Sequence, residues 1–413
     1  EVDMLSTEYT IEQPYTIYSD SKPYTVDVLE KTVSAYYEYK AVPALDKDVF
    51  LQTKLALKDF RSYQNLELNL QPGVNTFIGD NGSGKTNIAE SLIYLSFLSS
   101  HRVANNQPLI SLGATQAIIR AEIEREDRAL QIDLEINVSK ANRARINQNP
   151  TRSQREILGA VQIIYFSPED LDLVRGDPGN RRDFLDRLLI TRSPRMAGII
   201  ADYERVVKQR NTLLKTRSSS AALQPWSEQL INIGANLTAE RIALVEALNP
   251  FVTENYRNLN EVKPATIFYK SSTEGLTSNT PDNVTALTNR LEEVQYQEIE
   301  RGTTLIGPHR DDLILQIGDF PAKGYASHGE SWSMAISLRI GSFNLLKKEG
   351  ADPILILDDV FAELDTSRRL QLVAATKVAE QTIITAAVES DLPVDLNSAK
   401  FYVTPGQVKA GTR

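Results

Sequence analysis

Residues 77–86 read FIGDNGSGKT, which fits G-x-x-x-x-G-K-[ST] with Gly79, Gly84, Lys85 and Thr86 in the fixed places. Immediately before the glycines, residues 74–78 form a short apolar run that predicts a strand. Residues 87–97, just after, predict a helix with Ile88, Leu92 and Leu95 on one face. Strand, glycine loop and helix in that order are what a polyphosphate needs. A loop of Gly79, Asp80, Asn81, Gly82, Ser83 and Gly84 lets the backbone wrap the phosphates, and the helix N-terminus presents free N–H groups. Lys85 then reaches the terminal phosphates and Thr86 holds Mg²⁺, so the cofactors implied are ATP and Mg²⁺.

A carboxylate centre lies far downstream. ILILDD, residues 354–359, reads as four buried strand residues ending in Asp358 and Asp359. An acid at the C-terminal end of a core parallel strand, beside a phosphate loop, is where Mg²⁺ is held, which assigns Asp358 to the metal. The next acid, Asp359, is placed to orient or activate the attacking water. Lys85 and Asp358 are 273 positions apart, far more than a compact P-loop kinase or GTPase needs. A nucleotide domain with so long an insertion suggests two halves of one head flanking a protruding lobe.

The bulk properties agree. At 413 residues the chain is long enough for two or three domains. It has no Cys, which removes disulfides, thiolate metal sites and a Cys nucleophile, and His101, His309 and His328 are too scattered for a His-based metal site. No apolar run approaches the roughly 20 residues of a membrane span, and no signal-peptide pattern opens the chain, so a cytoplasmic protein is expected. The net charge of −9 does not advertise nucleic-acid binding. It is uneven, however: residues 1–50 hold ten acids against four Lys, together with seven of the 16 Tyr. Their text, including EYTIEQPYTIYSDSKPYTVDV and SAYYEYKAVP, alternates like antiparallel strands with Ser-Asp and Pro turns. Residues 1–52 are therefore read as a separate, fused β-rich segment without a catalytic role, which could displace the head's first strand.

The remainder organises around the phosphate loop. Residues 54–70 carry two strand patterns, and residues 117–124 and 129–138 form a hairpin with Leu130, Ile132, Leu134 and Ile136 on one face. The period then switches to helical. Ile199, Tyr203, Val206 and Leu213 precede a Ser-rich break over 217–225, and Leu230, Ile233, Leu237, Leu244 and Leu248 follow it, as in an antiparallel helical hairpin. The expected division is 53–180 for the N-terminal part of the head, 181–300 for the helical lobe and 301–413 for the C-terminal part of the head.

The third motif decides the class. ASHGESWSMAISL places Ser327, His328, Gly329 and Glu330 at a helix start about 30 residues before the carboxylate strand. This resembles the S-G-G-E signature of ABC-type ATPases, with His328 in place of one glycine. From about residue 53 onward the chain resembles the RecF family, ABC-type ATPases of bacterial recombinational repair related to SMC heads. The resemblance rests on LALKDFRSYQNLEL, GDNGSGKTNIAESL, FSPEDLDLVRGDPGNRRDFLD, YERVVKQRNTLLK, LIGPHRDDL, YASHGES and ILILDDVFAELDTSRR. Residues 1–52 resemble a fragment of the mucoidy inhibitor A-like family.

The resemblance implies an α/β, ABC/SMC-like P-loop ATPase head with an inserted helical lobe. It implies ATP-dependent homodimerisation on DNA, slow DNA-stimulated hydrolysis, an association with the SOS response, and help in loading recombinase at gaps with RecO- and RecR-type mediators, with no membrane partner. It also implies that Arg61 touches the nucleotide, that Ser327, Gly329 and Glu330 grip the nucleotide of the other subunit, and that Asp365 belongs to a loop crossing the dimer seam. The Mg²⁺-sensing Gln loop has only Ser167 to Glu169 in its region, and TIITAAVES, residues 382–390, lacks the switch His.

Two stretches carry alternatives. In GPHRDD, residues 307–312, His309 and Arg310 could contact nucleotide or a dimer partner, or the motif could be a turn closing the lobe. Lys140, Arg143, Arg145, Arg152 and Arg155 occur with no acid between 140 and 155, a candidate DNA patch or simply a solvated face. Two other classes compete: a transporter-type ABC ATPase, which needs a docking surface for a membrane partner, and a regulatory or SMC-like ATPase not dedicated to recombinase loading.

Overall fold

The computed structural model describes residues 52–103, 105–125, 128–259, 262–393 and 396–411. The reading of residues 1–52 as a β-rich segment therefore lies outside the described residues, apart from Gln52. Residues 49–413 form one compact unit.

Two six-stranded sheets build the head. The first is antiparallel, in the order Tyr63–Leu70, Gln52–Phe60, Gln116–Arg125, Arg128–Asn137, Arg143–Ile146, Asn149–Pro150. Its opening strand is in place, with Leu55 opposite Leu68 and Leu57 opposite Leu66. The second runs Gln407–Ala410, Ala399–Thr404, Gly73–Ile78, Gln381–Ala386, Ile354–Asp358, Ile163–Phe166, and every pair in it is parallel except the first.

A strand buried on both faces sends alternate side chains to opposite layers. In Ile354–Asp358, Ile354 and Ile356 enter the core shared with the antiparallel sheet, while Leu355 and Leu357 enter the core shared with the helices. The helix Lys85–Phe97 lies within the first of these cores and is buried on nearly every side, including Glu90, Ser91 and Ser96. The one-sided apolar stripe expected for it is therefore only part of its buried surface.

Helices Pro178–Arg192, Met196–Lys215, Ser220–Leu259 and Thr280–Arg301 form the lobe, with the strand Ala265–Lys270 inserted among them. Contacts of Arg195 with Glu240 and of Arg210 with Ser227 run in opposite directions along the second and third helices, so these two are antiparallel. The break between them is shorter than its composition suggested. The long helix starts at Ser220 and passes through Pro225 in its second turn, where the proline removes one i→i−4 backbone bond that the packing of the lobe must offset. The lobe interior holds a buried Arg210–Glu298 pair at 2.6 Å. Among the described residues no helix is long and apolar enough to cross a membrane.

Candidate functional site

The phosphate loop leaves the C-terminal end of Gly73–Ile78, and Asp358 ends its own strand two places away in the same sheet. Between them runs Gln381–Ala386, in register so that Thr385 pairs with Asp358 on one side and Phe77 on the other. Parallel topology thus brings together groups 273 positions apart in sequence. Gly84, at φ 111°, starts the helix at Lys85, and a Cβ there would lie 2.8 Å from the Tyr63 hydroxyl. Only glycine meets both the left-handed backbone and the close approach.

Lys85 Nζ donates to the carbonyls of Gly79 at 2.7 Å and Asp80 at 3.2 Å. The Thr86 hydroxyl donates to Asp358 Oδ1 at 3.3 Å, and Thr385 Oγ1 donates to the same oxygen at 2.6 Å. Burial, with a contribution from the neighbouring Asp359 charge, pushes Asp358 up to about 6. Asp359 sits at φ 52°, its N–H donates to Thr385 Oγ1 at 2.9 Å, and its buried Oδ1 has no hydrogen-bond partner among the described residues.

The donors suit Mg²⁺ with a nucleotide. Among the described residues no cluster of three or more His, Asp or Glu could hold a metal alone. Mg²⁺ commonly takes one or two protein oxygens and completes its shell with phosphates and water, and Thr86 with Asp358 offers such a pair. Two clefts open here. One, of about 250 Å³, is lined by Gly82, Gly84, Lys85, Thr86, Asn87, Arg102 and Asp359. The other, of about 210 Å³, lies between Asn81, Pro168 and Asp359, with Ala387 and Asp391 on its wall.

Arg61 is not directed at either cleft. Its Nε and Nη2 hold both oxygens of the buried Glu90 at 2.8 and 2.7 Å, and Nη1 donates to the Pro108 carbonyl. This internal salt bridge supplies the cation that a buried carboxylate one turn beyond Thr86 requires.

The signature residues lie elsewhere. Ser327 caps the helix His328–Lys348: its Oγ accepts from the Glu330 N–H, and Glu330 accepts from the Ser327 N–H at 2.9 Å. Lys263 donates to Glu330 at 2.8 Å, and these bonds hold its carboxyl down at about 2. His328 meets Arg175 through Nδ1 and Trp332 through Nε2, both at 3.1 Å. Arg368 ties Asp365 to the same helix, pairing with its carboxylate and donating to the Gly329 carbonyl at 2.8 Å and Ser333 Oγ at 3.1 Å. Neither cleft at the phosphate loop is lined by Ser327, Gly329 or Glu330.

Ser167, Pro168 and Glu169 follow the strand Ile163–Phe166, and of the three Pro168 lines the cleft beside Asp359. The loop is fixed by Asp170, whose carboxylate takes Nε and Nη2 of Arg339, from the signature helix, at 3.0 and 2.6 Å. In GPHRDD, the turn before the strand Asp312–Ile317, the side chains are bonded within the chain. His309 Nδ1 meets the Tyr203 hydroxyl at 2.8 Å, Arg310 donates to the Thr304 carbonyl, and fully buried Asp311 accepts from Tyr269 and the Ser272 N–H, both at 2.7 Å.

The five candidate DNA residues are all exposed on the edge of the antiparallel sheet and the turns that flank it. Arg143 stands opposite Glu135 and Arg145 opposite Asp133 in the strand register, so acids absent from the local text face them. The sequence reading did not single out Thr385, Arg102, Arg175 or Arg368. Arg175 and Arg368 lie within stretches quoted for the resemblance, but no spacing rule marks them.

Residues 51–399 match the family model described as the RecF/RecN/SMC N terminal domain. A DNA replication and repair protein RecF from Streptomyces avermitilis is 48% identical over 86% of this chain and 99% of its own length. The namesake from Rhodococcus erythropolis is 48% identical over 85% of this chain and 92% of its own. The chain belongs to the RecF family. Among solved structures, a recombination mediator protein RecF with ATP in the RecFOR pathway superposes with a TM-score of 0.79 at 25% identity, covering 87% of this chain and 99% of that one. An Smc head bound to the C-terminal winged-helix domain of ScpA shares the fold at a TM-score of 0.51 and 16% identity, over 87% of this chain and 96% of that one. The ABC/SMC-like head is thus the RecF family's architecture.

Proposed function

We propose that this RecF-family chain is a Mg²⁺-dependent ATPase of DNA replication and recombinational repair that closes as an ATP-bound pair on DNA. The observation that carries the reading is the separation of motifs. Lys85, Thr86, Asp358 and Asp359 converge on the clefts, whereas Ser327, Gly329 and Glu330 line neither. A signature at a capped helix N-terminus is built to meet an anion, and here that anion is the γ-phosphate held by a second copy. Asp365, tied by Arg368 to the signature helix, lies along the same seam.

ATP is then part of the interface, and hydrolysis at Asp359 releases the pair. Slow, DNA-stimulated turnover makes the chemistry a timer for the dwell on DNA, where RecO- and RecR-type mediators load recombinase at gaps in the cytoplasm. Light scattering on the Asp359→Asn protein tests this directly. It should be monomeric without nucleotide and dimeric with ATP, and Ser327→Arg should bind ATP yet stay monomeric. A monomer at saturating ATP, with and without DNA, defeats the clamp.

A further inference from the structure

We infer that Arg368 is a positioning residue for ATP-driven pairing: it locks the start of the signature helix to Asp365, and Gly329 is glycine to make room for it. The inference rests on the paired reading above and extends it to the residue that joins two of its parts. Two helices meet at this point, His328–Lys348 and Thr366–Val378. The second is capped by Asp365, whose Oδ1 accepts from the Arg368 N–H at 3.0 Å.

The Arg368 side chain then crosses the junction. Nη1 pairs with Asp365 Oδ2, Nη2 donates to the Gly329 carbonyl at 2.8 Å, and Nε donates to Ser333 Oγ at 3.1 Å. One guanidinium thus holds the carboxylate that caps its own helix and two groups, 39 and 35 positions away, on the signature helix. All three of its nitrogens are engaged within the chain, and the side chain is 19% exposed. That separates it from an arginine built to take a ligand, which keeps part of its fork open. The Asp365 side chain, by contrast, is 54% exposed. Arg368 fixes this carboxylate without covering it, and sets where it stands relative to Gly329.

Gly329 reflects the same arrangement. It lies in the first turn of its helix, where the backbone admits any residue, so conformation does not require glycine there. Space does. A Cβ would lie 2.9 Å from Arg368 Nη2 and 3.6 Å from Cζ. The guanidinium can yield, being the end of a flexible side chain, but only by giving up its bonds to Gly329 and Ser333. His328, one residue earlier, carries a full side chain whose partners are Arg175 and Trp332. The signature therefore keeps glycine where Arg368 crosses and gives it up beside it. Without Arg368, the helix start and Asp365 would have to be brought into register as the second copy arrives, and that ordering would be subtracted from the association.

Light scattering of the full chain with ATPγS tests this, beside equilibrium ATPγS binding and melting curves without nucleotide. Arg368→Ala should raise the protein concentration for half-dimerisation at least tenfold. The ATPγS affinity of the dilute monomer should stay within twofold of wild type. Arg368→Lys, which keeps the charge but cannot hold all three acceptors, should fall between. Gly329→Ala should also weaken dimerisation, and adding it to Arg368→Ala should change little further, since the contact it disturbs is already gone. Should Arg368→Ala melt early, Arg368→Gln supplies the same comparison. Wild-type dimerisation in a folded Arg368 variant overturns the positioning role and leaves the pairing intact. ATPγS affinity lost in step with dimerisation would make Arg368 merely structural, and additive losses in the double variant overturn the account of Gly329. A wild-type chain that binds ATPγS yet stays monomeric overturns the paired reading and this inference together.

Discussion

Arg339 and Asp170 form a buried, two-bond ion pair, at 3.0 and 2.6 Å, across 169 positions of sequence. One partner stands on the helix that begins with the signature, and the other fixes the loop whose Pro168 faces Asp359 across a cleft. The Arg339 guanidinium also lies 4.4 Å from the centre of the Tyr165 ring, so the pair is packed as well as bonded.

Removing one partner should therefore cost more than an exposed salt bridge would. Arg339→Met leaves the Asp170 carboxylate buried without its cation, a loss of about 3–5 kcal/mol. Adding Asp170→Asn should recover part of it, because the uncompensated charge is then gone. Denaturant unfolding of wild type, both single variants and the double variant gives the cycle. A strictly additive double variant would show that the two side chains do not interact.

The acid centre predicts a split between binding and turnover. Asp358→Asn should chiefly damage Mg²⁺-dependent hydrolysis, and Asp359→Asn should slow turnover about a hundredfold or more while leaving ATP bound. Thr385→Val removes the hydroxyl that touches both acids and should slow turnover with little effect on ATP affinity. Single-turnover hydrolysis beside equilibrium binding separates these outcomes. Equal losses in both measurements for Thr385→Val would make its role structural.

Acid should weaken the fold through two histidines. Burial pushes both His101 and His309 down from 6.5 to about 4. The unfolded chain takes up these protons near 6.5, whereas the folded chain resists until about 4. The stability the neutral rings contribute is therefore complete above about 6.5 and declines as pH falls toward 4. Melting temperatures of wild type and His309→Gln at pH 7.5, 6 and 5 provide the check. The variant should lose less on acidification, and parallel curves would remove His309 from the account.

The basic edge makes a graded prediction. If duplex DNA contacts it, neutralising Arg143, Arg145 and Arg152 together should reduce the salt slope of binding by about one unit per lost phosphate contact. Because Glu135 and Asp133 stand opposite two of these arginines, Arg152 should account for more of the change than either alone. An unchanged slope in the triple variant would make this a solvated edge.

The parts of the site that were legible in the sequence are those written in short, contiguous patterns. The glycine loop, the ILILDD strand and the capped Ser327 helix could each be read from ten residues or fewer, and the parallel sheet unites the first two. Long-range pairing was not legible. The pairing of Arg61 with Glu90, 29 positions away, is written in no local pattern. Arg102 has no motif around it, and the sheet register that inserts Thr385 between the phosphate strand and Asp358 is a property of the assembled fold. The Ser-rich stretch around Pro225 failed for the opposite reason: its composition signals a break, yet lobe packing carries the helix through it.

The helix Ser220–Leu259, forty residues long, would span roughly 60 Å if straight. Near its start, Ser227 accepts from Arg210; near its far end, the Asn255 carbonyl accepts from Gln371 at 3.0 Å, on the helix Thr366–Val378 that Asp365 caps. It is buried at intervals from Leu223 to Tyr256, so one element links the Arg210 end of the lobe to the helix that Asp365 caps. Load applied to the outer lobe would therefore meet the Asn255–Gln371 contact as well as the lobe's own packing.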